Sequence, residues 1–130
     1  MQAETATNPA PGFANHPGYK IKLTPVDRQM RVWLGCAAVA DSSHVLVMRE
    51  GDYPPVYYFP RADVNMDLLT ATDRGSHCPF KGDASYWTIE AGDRHEENVA
   101  WSYESPFDEM LEIASMIAFY QDRVKLEVLG

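Results

Sequence analysis

Residues 44–60 read HVLVMREGDYPPVYYFP, in which two short apolar runs flank a segment of turn-forming residues. The runs, His44–Met48 and Val56–Phe59, are rich in β-branched and aromatic side chains, which favour strands. Between them, Gly51–Pro55 contains a glycine and two prolines, and these residues interrupt regular structure. The stretch therefore predicts two short, largely buried strands joined by a turn.

The same alternation of short strands and turns continues on both sides of this stretch. Gly35 and the pair Gly92-Asp93 stand where the chain must turn between neighbouring runs. Residues 63–69 are ambiguous between a helical turn and a strand. Strands separated by turns every 8–12 residues or so indicate a mainly β domain, either a barrel or a sandwich. The further strand candidates are Arg31–Leu34, Ala37–Ala40, Ser85–Ile89, Arg94–Tyr103 and Val124–Val128.

One helix is predicted late in the chain, from about residue 106 to residue 120. Ser105 can cap it, Pro106 fits the first helical position, and Asp108 and Glu109 suit the positive end of the helix dipole. Apolar residues then recur at helical spacing and would form one buried face. These residues are Phe107, Met110, Leu111, Ala114, Ile117 and Ala118.

The chain has 130 residues, which fits a single domain. Residues 1–27 mix Ala, Pro, Gly, Asn and Thr without apolar periodicity, so they are predicted to form a flexible or irregular N-terminal tail. Phe13 and Tyr19 are the tail residues able to pack against the rest of the protein. The predicted division is therefore a tail over residues 1–27 and one β-rich domain over residues 28–130.

The charge balance excludes some partners. Eleven basic and 19 acidic residues give a net charge of −8, which argues against binding to nucleic acid or to an anionic membrane. A small anionic ligand remains compatible, because a few local cations can override the overall field. With only two cysteines, no signal-peptide pattern and no long apolar run, the sequence predicts an acidic cytoplasmic protein with reduced thiols.

Residues 77–87, HCPFKGDASYW, concentrate the reactive side chains. Pro79 favours extended geometry at Cys78, so His77 and Cys78 point to opposite sides and make a poor nucleophile–base dyad. A buried, inert thiol is the simpler interpretation of Cys78. Paired Cys or His ligands at zinc-binding spacing do not occur, so no metal site is predicted.

The turn Lys81-Gly82-Asp83 is the stronger candidate in this stretch. Gly82 permits a positive φ, and the charged neighbours can bind a polar ligand or form a weak surface ion pair. Arg61, which follows an aromatic strand, can clamp a carboxylate or phosphate, or it can stack on tyrosine. Asp63 and Asp67 are spaced for Mg²⁺ on one helical face, although two solvated acids are the simpler interpretation.

Four motifs together resemble a known family. RVWLGCAAVADS (31–42), YPPVYYFPRADVNMDLL (53–69), HCPFKGDASYW (77–87) and NVAWSYESP (98–106) resemble, in this order, a widespread microbial family catalogued as domain of unknown function number 427. The resemblance covers roughly residues 31–126. It implies a compact β-tent-like domain of two small antiparallel sheets with the late helix. The matching polar positions are Tyr58, Arg61, His77, Cys78, Lys81, Asp83, Ser85, Tyr86, Trp101 and Tyr103.

The resemblance also bears on chemistry. Some relatives of this architecture hold zinc through paired C-x-x-C motifs, which this sequence lacks, and others grip small ligands in an aromatic cage. Trp87, Trp101 and Tyr103 are the cage candidates here. The family is sometimes labelled nucleotidyltransferase-like. Such enzymes use a Gly-Ser turn followed by paired carboxylates that bind Mg²⁺, whereas Gly75-Ser76 leads here to His77.

These observations lead to three hypotheses. The first is a pocket for a small, anionic or polar molecule, lined by Tyr58, Arg61, Cys78, Lys81, Asp83, Tyr86, Trp101 and Tyr103. Arg61 and Lys81 would hold the ligand, and Asp83 would orient Lys81. The second is an enzyme that uses the same pocket, with His77 as acid or base, or a nucleotidyltransferase. The third is a structural or interaction domain. The cofactor is unknown, and exposed aromatics are compatible with a homodimer.

Overall fold

The computed structural model describes residues 7–130, and strands dominate this part of the chain. One short helix, α1, covers Pro11–Asn15, and 3₁₀ turns cover Arg61–Asp63, Met66–Leu68 and Asp108–Ile113. No helix within residues 7–130 has the length and hydrophobicity needed to cross a membrane. The strands are β1 (Ile21–Pro25), β2 (Gln29–Leu34), β3 (Ala37–Ser42), β4 (Leu46–Glu50), β5 (Val56–Tyr58), β6 (Leu69–Cys78), β7 (Gly82–Ala91), β8 (Arg94–Ser102), β9 (Ala118–Phe119) and β10 (Lys125–Leu129).

The strands form three antiparallel sheets within the described residues, with the orders β1-β4-β5, β10-β2-β3 and β6-β7-β8-β9. The mainly β class and the two strands predicted within residues 44–60 are confirmed, and the structure pairs these strands, with Leu46 opposite Tyr58 and Met48 opposite Val56. The expected pair of sheets is wrong. Strand pairing depends on distant partners, such as Leu126 opposite Val32, and local sequence does not specify these.

Strand β7 lies between two hydrophobic cores. Trp87 and Ile89 belong to the first core, which they share with residues of β2 and β3. Ala84 and Tyr86 belong to the second core, which they share with residues of β4 and β5. Successive side chains of a strand point to opposite faces, so one strand serves both cores. β7 is therefore covered on both faces, whereas most residues of its neighbour β6 are exposed.

The predicted helix over residues 106–120 is wrong. The chain makes 3₁₀ turns only to Ile113, and Ser115 then takes a left-handed φ of 63°, which a continuing helix does not allow. Beyond it, Ile117 exchanges two backbone hydrogen bonds of 2.8 Å with Phe59, and β9 pairs with β8. Ile117 and Phe119 enter the first core and Ala118 enters the second. An extended chain supplies both cores, so tertiary pairing overrides the helical period.

The segment before residue 28 contains regular structure that the sequence did not predict. β1 (Ile21–Pro25) pairs with β4 along its whole length. Upstream of it, the predicted packing of Phe13 and Tyr19 against the protein is confirmed. Phe13 meets the Phe80 ring edge-on at 5.0 Å, and Tyr19 stacks on the same ring at 4.2 Å. Residues 1–6 of the predicted tail lie outside the described residues.

Gly12 fits closely against the turn that carries Phe80. Its N–H donates a 2.9 Å hydrogen bond to the Pro79 carbonyl, and a Cβ at this position would lie 2.7 Å from the Phe80 ring and 2.9 Å from the Pro79 oxygen. We expect Gly12→Ala to weaken the docking of this segment by about 1–3 kcal/mol, the usual range for overpacking. Limited proteolysis and amide hydrogen exchange over residues 8–20 measure the effect.

Gly18→Ala is the matched control, since nothing lies within 4 Å of the added methyl group. Its exchange rates should equal those of the wild type or fall slightly, because alanine restricts the unfolded chain. Equal protection of the segment in both variants would contradict the close fit at Gly12.

Candidate functional site

A cleft lies where the β4–β5 turn faces β8 and β9. Its volume is about 570 Å³, and most of its surface is apolar. The β4–β5 turn supplies one side, and Trp101 with the chain after β9 supplies the other. The lining residues are Glu50, Tyr53, Pro54, Pro55, Val56, Lys81, Trp101, Phe119, Tyr120, Gln121 and Asp122.

A shielded ion pair forms one wall of the cleft. Lys81 Nζ lies 2.7 Å from Glu50 Oε1, and the side chains of Lys81 and Glu50 are only 14% and 16% exposed. The other oxygen of Glu50 accepts a hydrogen bond from the Tyr19 hydroxyl. This bond to a carboxylate, together with burial, raises the pKa of Tyr19 from 10.0 to about 12. The N-terminal segment thus helps to fix Glu50.

Aromatic rings also line the cleft. The rings of Trp101 and Tyr120 lie 4.7 Å apart at an angle of 48°. Tyr53 stands on the facing turn and is 69% exposed. The Gln121 side-chain amide donates a 2.7 Å hydrogen bond to the Pro55 carbonyl and so ties the two sides together at one end. The cleft therefore offers ring faces to a ligand within a frame that hydrogen bonds hold in place.

Two buried tyrosines support the cleft from below. Tyr58 is 1% exposed and Tyr103 is 7% exposed, and both belong to the second core with Cys78 packed against it. Burial raises the pKa of both phenols well above the usual value, and for Tyr58 a hydrogen bond with Trp101 acts in the opposite direction. Both hydroxyls stay protonated at neutral pH, so they act as structural groups and not as bases.

Arg61 lies away from the cleft and is fully engaged elsewhere. It donates to the Ser115 carbonyl at 3.0 Å and lies 3.3 Å from the Glu104 carboxylate. Its guanidinium also covers the Trp87 ring at 5.0 Å. Trp87 and Trp101 lie on opposite faces of the four-stranded sheet, because Trp87 pairs with Ala100 and Trp101 pairs with Tyr86. The cage suggested by the resemblance therefore does not assemble from Trp87, Trp101 and Tyr103.

His77 and Asp83 pair with each other on the surface. They are cross-strand neighbours of β6 and β7, and His77 Nδ1 lies 2.7 Å from Asp83 Oδ1. Their side chains are 59% and 87% exposed, and neither residue lines the cleft. The expected orientation of Lys81 by Asp83 is therefore wrong, since Glu50 is the partner of Lys81. Gly82 does take the positive φ that the turn predicted, 121°.

The two carboxylates considered for Mg²⁺ have separate surroundings. Asp63 accepts a 2.6 Å hydrogen bond from the Ser42 hydroxyl. Asp67 lies in the next 3₁₀ turn, whose start is held by the Asn65 side chain. The two acids therefore do not share one helical face. Over residues 7–130, no group of three or more His, Cys, Asp or Glu side chains is placed to hold a metal ion.

Sequence reasoning missed Glu50, Tyr53 and Tyr120 as site residues. Glu50 ends β4, and an acidic residue at a strand end is ordinarily a solvated group. Its significance comes from Tyr19 and Lys81, which are both 31 residues away. Tyr53 carried a usable signal, since it is a large aromatic in a Pro-rich turn. Of the predicted ligand-binding residues, Lys81 and Trp101 line the cleft, and Tyr58 and Tyr103 lie in the core beneath it.

The fold and the cleft define a class, a small mainly β domain with an aromatic cleft and a shielded ion pair. The sequence profile of the family described as "Domain of unknown function (DUF427)" matches residues 22–130. The chain belongs to this family. No curated protein has a sequence significantly similar to it.

The Glu50–Lys81 pair predicts an asymmetric response to mutation. Glu50→Gln leaves a shielded ammonium without its counter-charge, so we expect a loss of roughly 2–3 kcal/mol, below the value for a fully buried pair because some solvent contact remains. The double variant Glu50→Gln/Lys81→Met should recover part of this loss. Urea unfolding of the four proteins in a double-mutant cycle measures the coupling.

Glu90→Gln serves as the control, because the Glu90–His95 pair is exposed and its loss should change stability little. Additive effects of Glu50→Gln and Lys81→Met would show that the two groups do not stabilise each other.

The shifted pKa of Tyr19 predicts late ionisation. Because the folded pKa of about 12 exceeds the ordinary value of 10.0, the hydrogen bond to Glu50 stabilises the fold fully below pH 10 and is lost as the pH rises towards 12. Tyrosinate absorbance should therefore be the same in wild type and Tyr19→Phe around pH 10, and the curves should separate near 12. Separation around pH 10 would mean that Glu50 does not hold the hydroxyl.

Proposed function

We propose that this domain binds a small organic molecule in the cleft between the β4–β5 turn and Trp101. The observation that carries the proposal is an apolar cleft whose wall holds two aromatic rings and a shielded ion pair. A volume of about 570 Å³ is in the range of small-molecule sites. Apolar walls with a few fixed polar groups are the usual composition of such sites.

Each wall has its own role in this proposal. The rings of Trp101 and Tyr120 contact the flat or apolar part of the ligand, as aromatic walls commonly do. Lys81 and Glu50 contribute polar atoms whose positions are fixed by their mutual bond and by Tyr19. The ligand therefore meets groups that are already in place, which lowers the entropy cost of binding.

The sequence expectation of an anionic ligand required Arg61 and Lys81 in one pocket. Arg61 is bound to Ser115 and Glu104, and the charge of Lys81 is opposed by Glu50 at 2.7 Å. Among the described residues that line the cleft, Lys81 has the sole cationic side chain. The proposal therefore retains the small molecule and does not require it to be an anion.

Binding is favoured over catalysis for a similar reason. His77 is the acid or base of the enzyme hypothesis. It pairs with Asp83 on the exposed surface and does not line the cleft. Nucleotide transfer would draw on Asp63 and Asp67, which have separate surroundings. Both cysteines are free thiols, which supports the proposal of a reducing, cytoplasmic setting.

A ligand screen with matched variants tests the proposal. Metabolites that raise the melting temperature of the wild type are titrated against Tyr53→Ala, which removes an exposed ring from the edge of the cleft. We expect at least about fivefold weaker binding, equivalent to roughly 1 kcal/mol of ring contact. The measurement is isothermal titration calorimetry on each confirmed metabolite.

Leu111→Ala is the control, since it removes a similarly exposed apolar side chain, 59% against 69%, outside the cleft. Its affinities should equal those of the wild type. If Tyr53→Ala and Leu111→Ala behave alike for every metabolite that binds, the ligand site lies elsewhere. A broad screen without any binder favours a structural or interaction domain.

A further inference from the structure

We infer that the cleft selects organic cations, specifically alkylated ammonium groups, over neutral or anionic molecules of the same shape. This inference rests on the proposed function and adds to it the charge class of the ligand. It depends on three features of the described residues: the balance of charges around the cleft, the exposed ring faces, and the overall charge of the protein.

The charged side chains that line the cleft, Glu50, Lys81 and Asp122, have a net negative charge. The positive charge of Lys81 is compensated by Glu50, which also accepts a hydrogen bond from the Tyr19 hydroxyl. This ion pair therefore carries no net positive charge. Asp122 lines the cleft with an exposed carboxylate and takes part in none of the ion pairs among the described residues. The residues that line the cleft therefore have one negative charge in excess, while Arg94, Arg123 and Lys125 share a neighbouring cleft with Asp122.

The nearest cation in the sequence does not cancel this charge. Arg123 follows Asp122, but its guanidinium is held at 3.0 Å by the Glu96 carboxylate and at 2.8 Å by the Glu97 carbonyl. Its charge is thus shared with Glu96 on β8. An incoming anion would meet Asp122 and find Lys81 already paired with Glu50. An incoming cation meets the Asp122 carboxylate as a counter-charge.

The rings supply the second attraction. The face of an aromatic ring is electron-rich and attracts a cation within about 6 Å, by roughly 0.5–1 kcal/mol at exposed sites and more where water is excluded. The ring centres of Trp101 and Tyr120 lie 4.7 Å apart and the two rings are tilted by 48°. Tyr53 also lines the cleft, so a ligand there meets more than one ring. Burial raises the pKa of Tyr120, so its phenol keeps the proton at neutral pH.

Methyl groups on the ammonium add to both effects. They spread the positive charge, weaken its hydration and present apolar surface to the cleft wall, which is mostly apolar. A bare ammonium would lose strong hydration on entering such a site. The net charge of −8 also favours the approach of cations over long distances at low salt.

Three probes of nearly the same shape test the inference. Choline carries a trimethylammonium group, 3,3-dimethylbutan-1-ol replaces its nitrogen with carbon, and 3,3-dimethylbutanoate carries a negative charge. Each is titrated into ¹⁵N-labelled protein, and the Trp101 indole resonance, assigned with Trp101→Phe, reports occupancy of the cleft. We expect choline to bind at least about fivefold more tightly than the alcohol, the equivalent of one cation–ring contact. The butanoate should bind more weakly than both.

Charge-matched variants separate a local effect from the overall field. Asp122→Asn should reduce the ratio of choline affinity to alcohol affinity, and Asp93→Asn, in the β7–β8 turn and outside the cleft lining, should leave it unchanged. Tyr120→Phe should keep the preference and Tyr120→Leu should weaken it, because only the leucine lacks a ring face.

The outcomes distinguish this inference from the proposed function. Equal binding of choline and the alcohol at the Trp101 resonance, or tighter binding of the butanoate, overturns the cation preference and leaves small-molecule binding in the cleft supported. Identical effects of Asp122→Asn and Asp93→Asn also overturn it. If no probe shifts the Trp101 resonance, the inference fails, and the metabolite screen alone then decides the proposed function.

Discussion

The alternation of side chains along β7 is the constraint on which the rest of the structure depends. Trp87 and Ile89 must be covered on one face and Ala84 and Tyr86 on the other, so this strand requires a layer on each side. The sheets β10-β2-β3 and β1-β4-β5 provide those layers. A shift of β7 by one residue would move every one of these side chains into the wrong core, so the register is strongly specified.

The cleft is a consequence of the same arrangement. Trp101 pairs with Tyr86 across β7 and β8 and lies at the margin of the second core, where the covering sheet ends at the β4–β5 turn. Coverage there is incomplete, and the rings of Trp101 and Tyr120 remain accessible. The Glu50–Lys81 pair also lines the cleft, and Tyr19, which stacks on Phe80, donates a hydrogen bond to Glu50. Packing and candidate site therefore share the same residues.

The sequence predicted features that depend on neighbouring residues. The two strands within residues 44–60, the turn at Gly92 and the positive φ at Gly82 follow from local composition, and each is present. Lys81 and Trp101, which both line the cleft, were predicted as pocket residues from their chemistry and from the family resemblance. The sequence-based predictions failed where the partner residue is distant in the chain. Ile117 was predicted in a helix but pairs in extended form with Phe59, and Lys81 pairs with Glu50 and not with the nearby Asp83.

The sequence by itself thus determined the class of the domain, its turns and its acidic character, because strand propensity, turn chemistry and charge are properties of short segments. Tertiary structure alone decided which strands share a sheet, which face each aromatic residue occupies and which ion pairs form. These depend on contacts between residues far apart in the chain, and local free-energy differences of about 1 kcal/mol per residue are too small to fix them. Packing of the two cores supplies the additional free energy that selects one arrangement. In this arrangement Arg61 covers Trp87 on one face of the four-stranded sheet, and Lys81 shares the cleft with Trp101 of the other face.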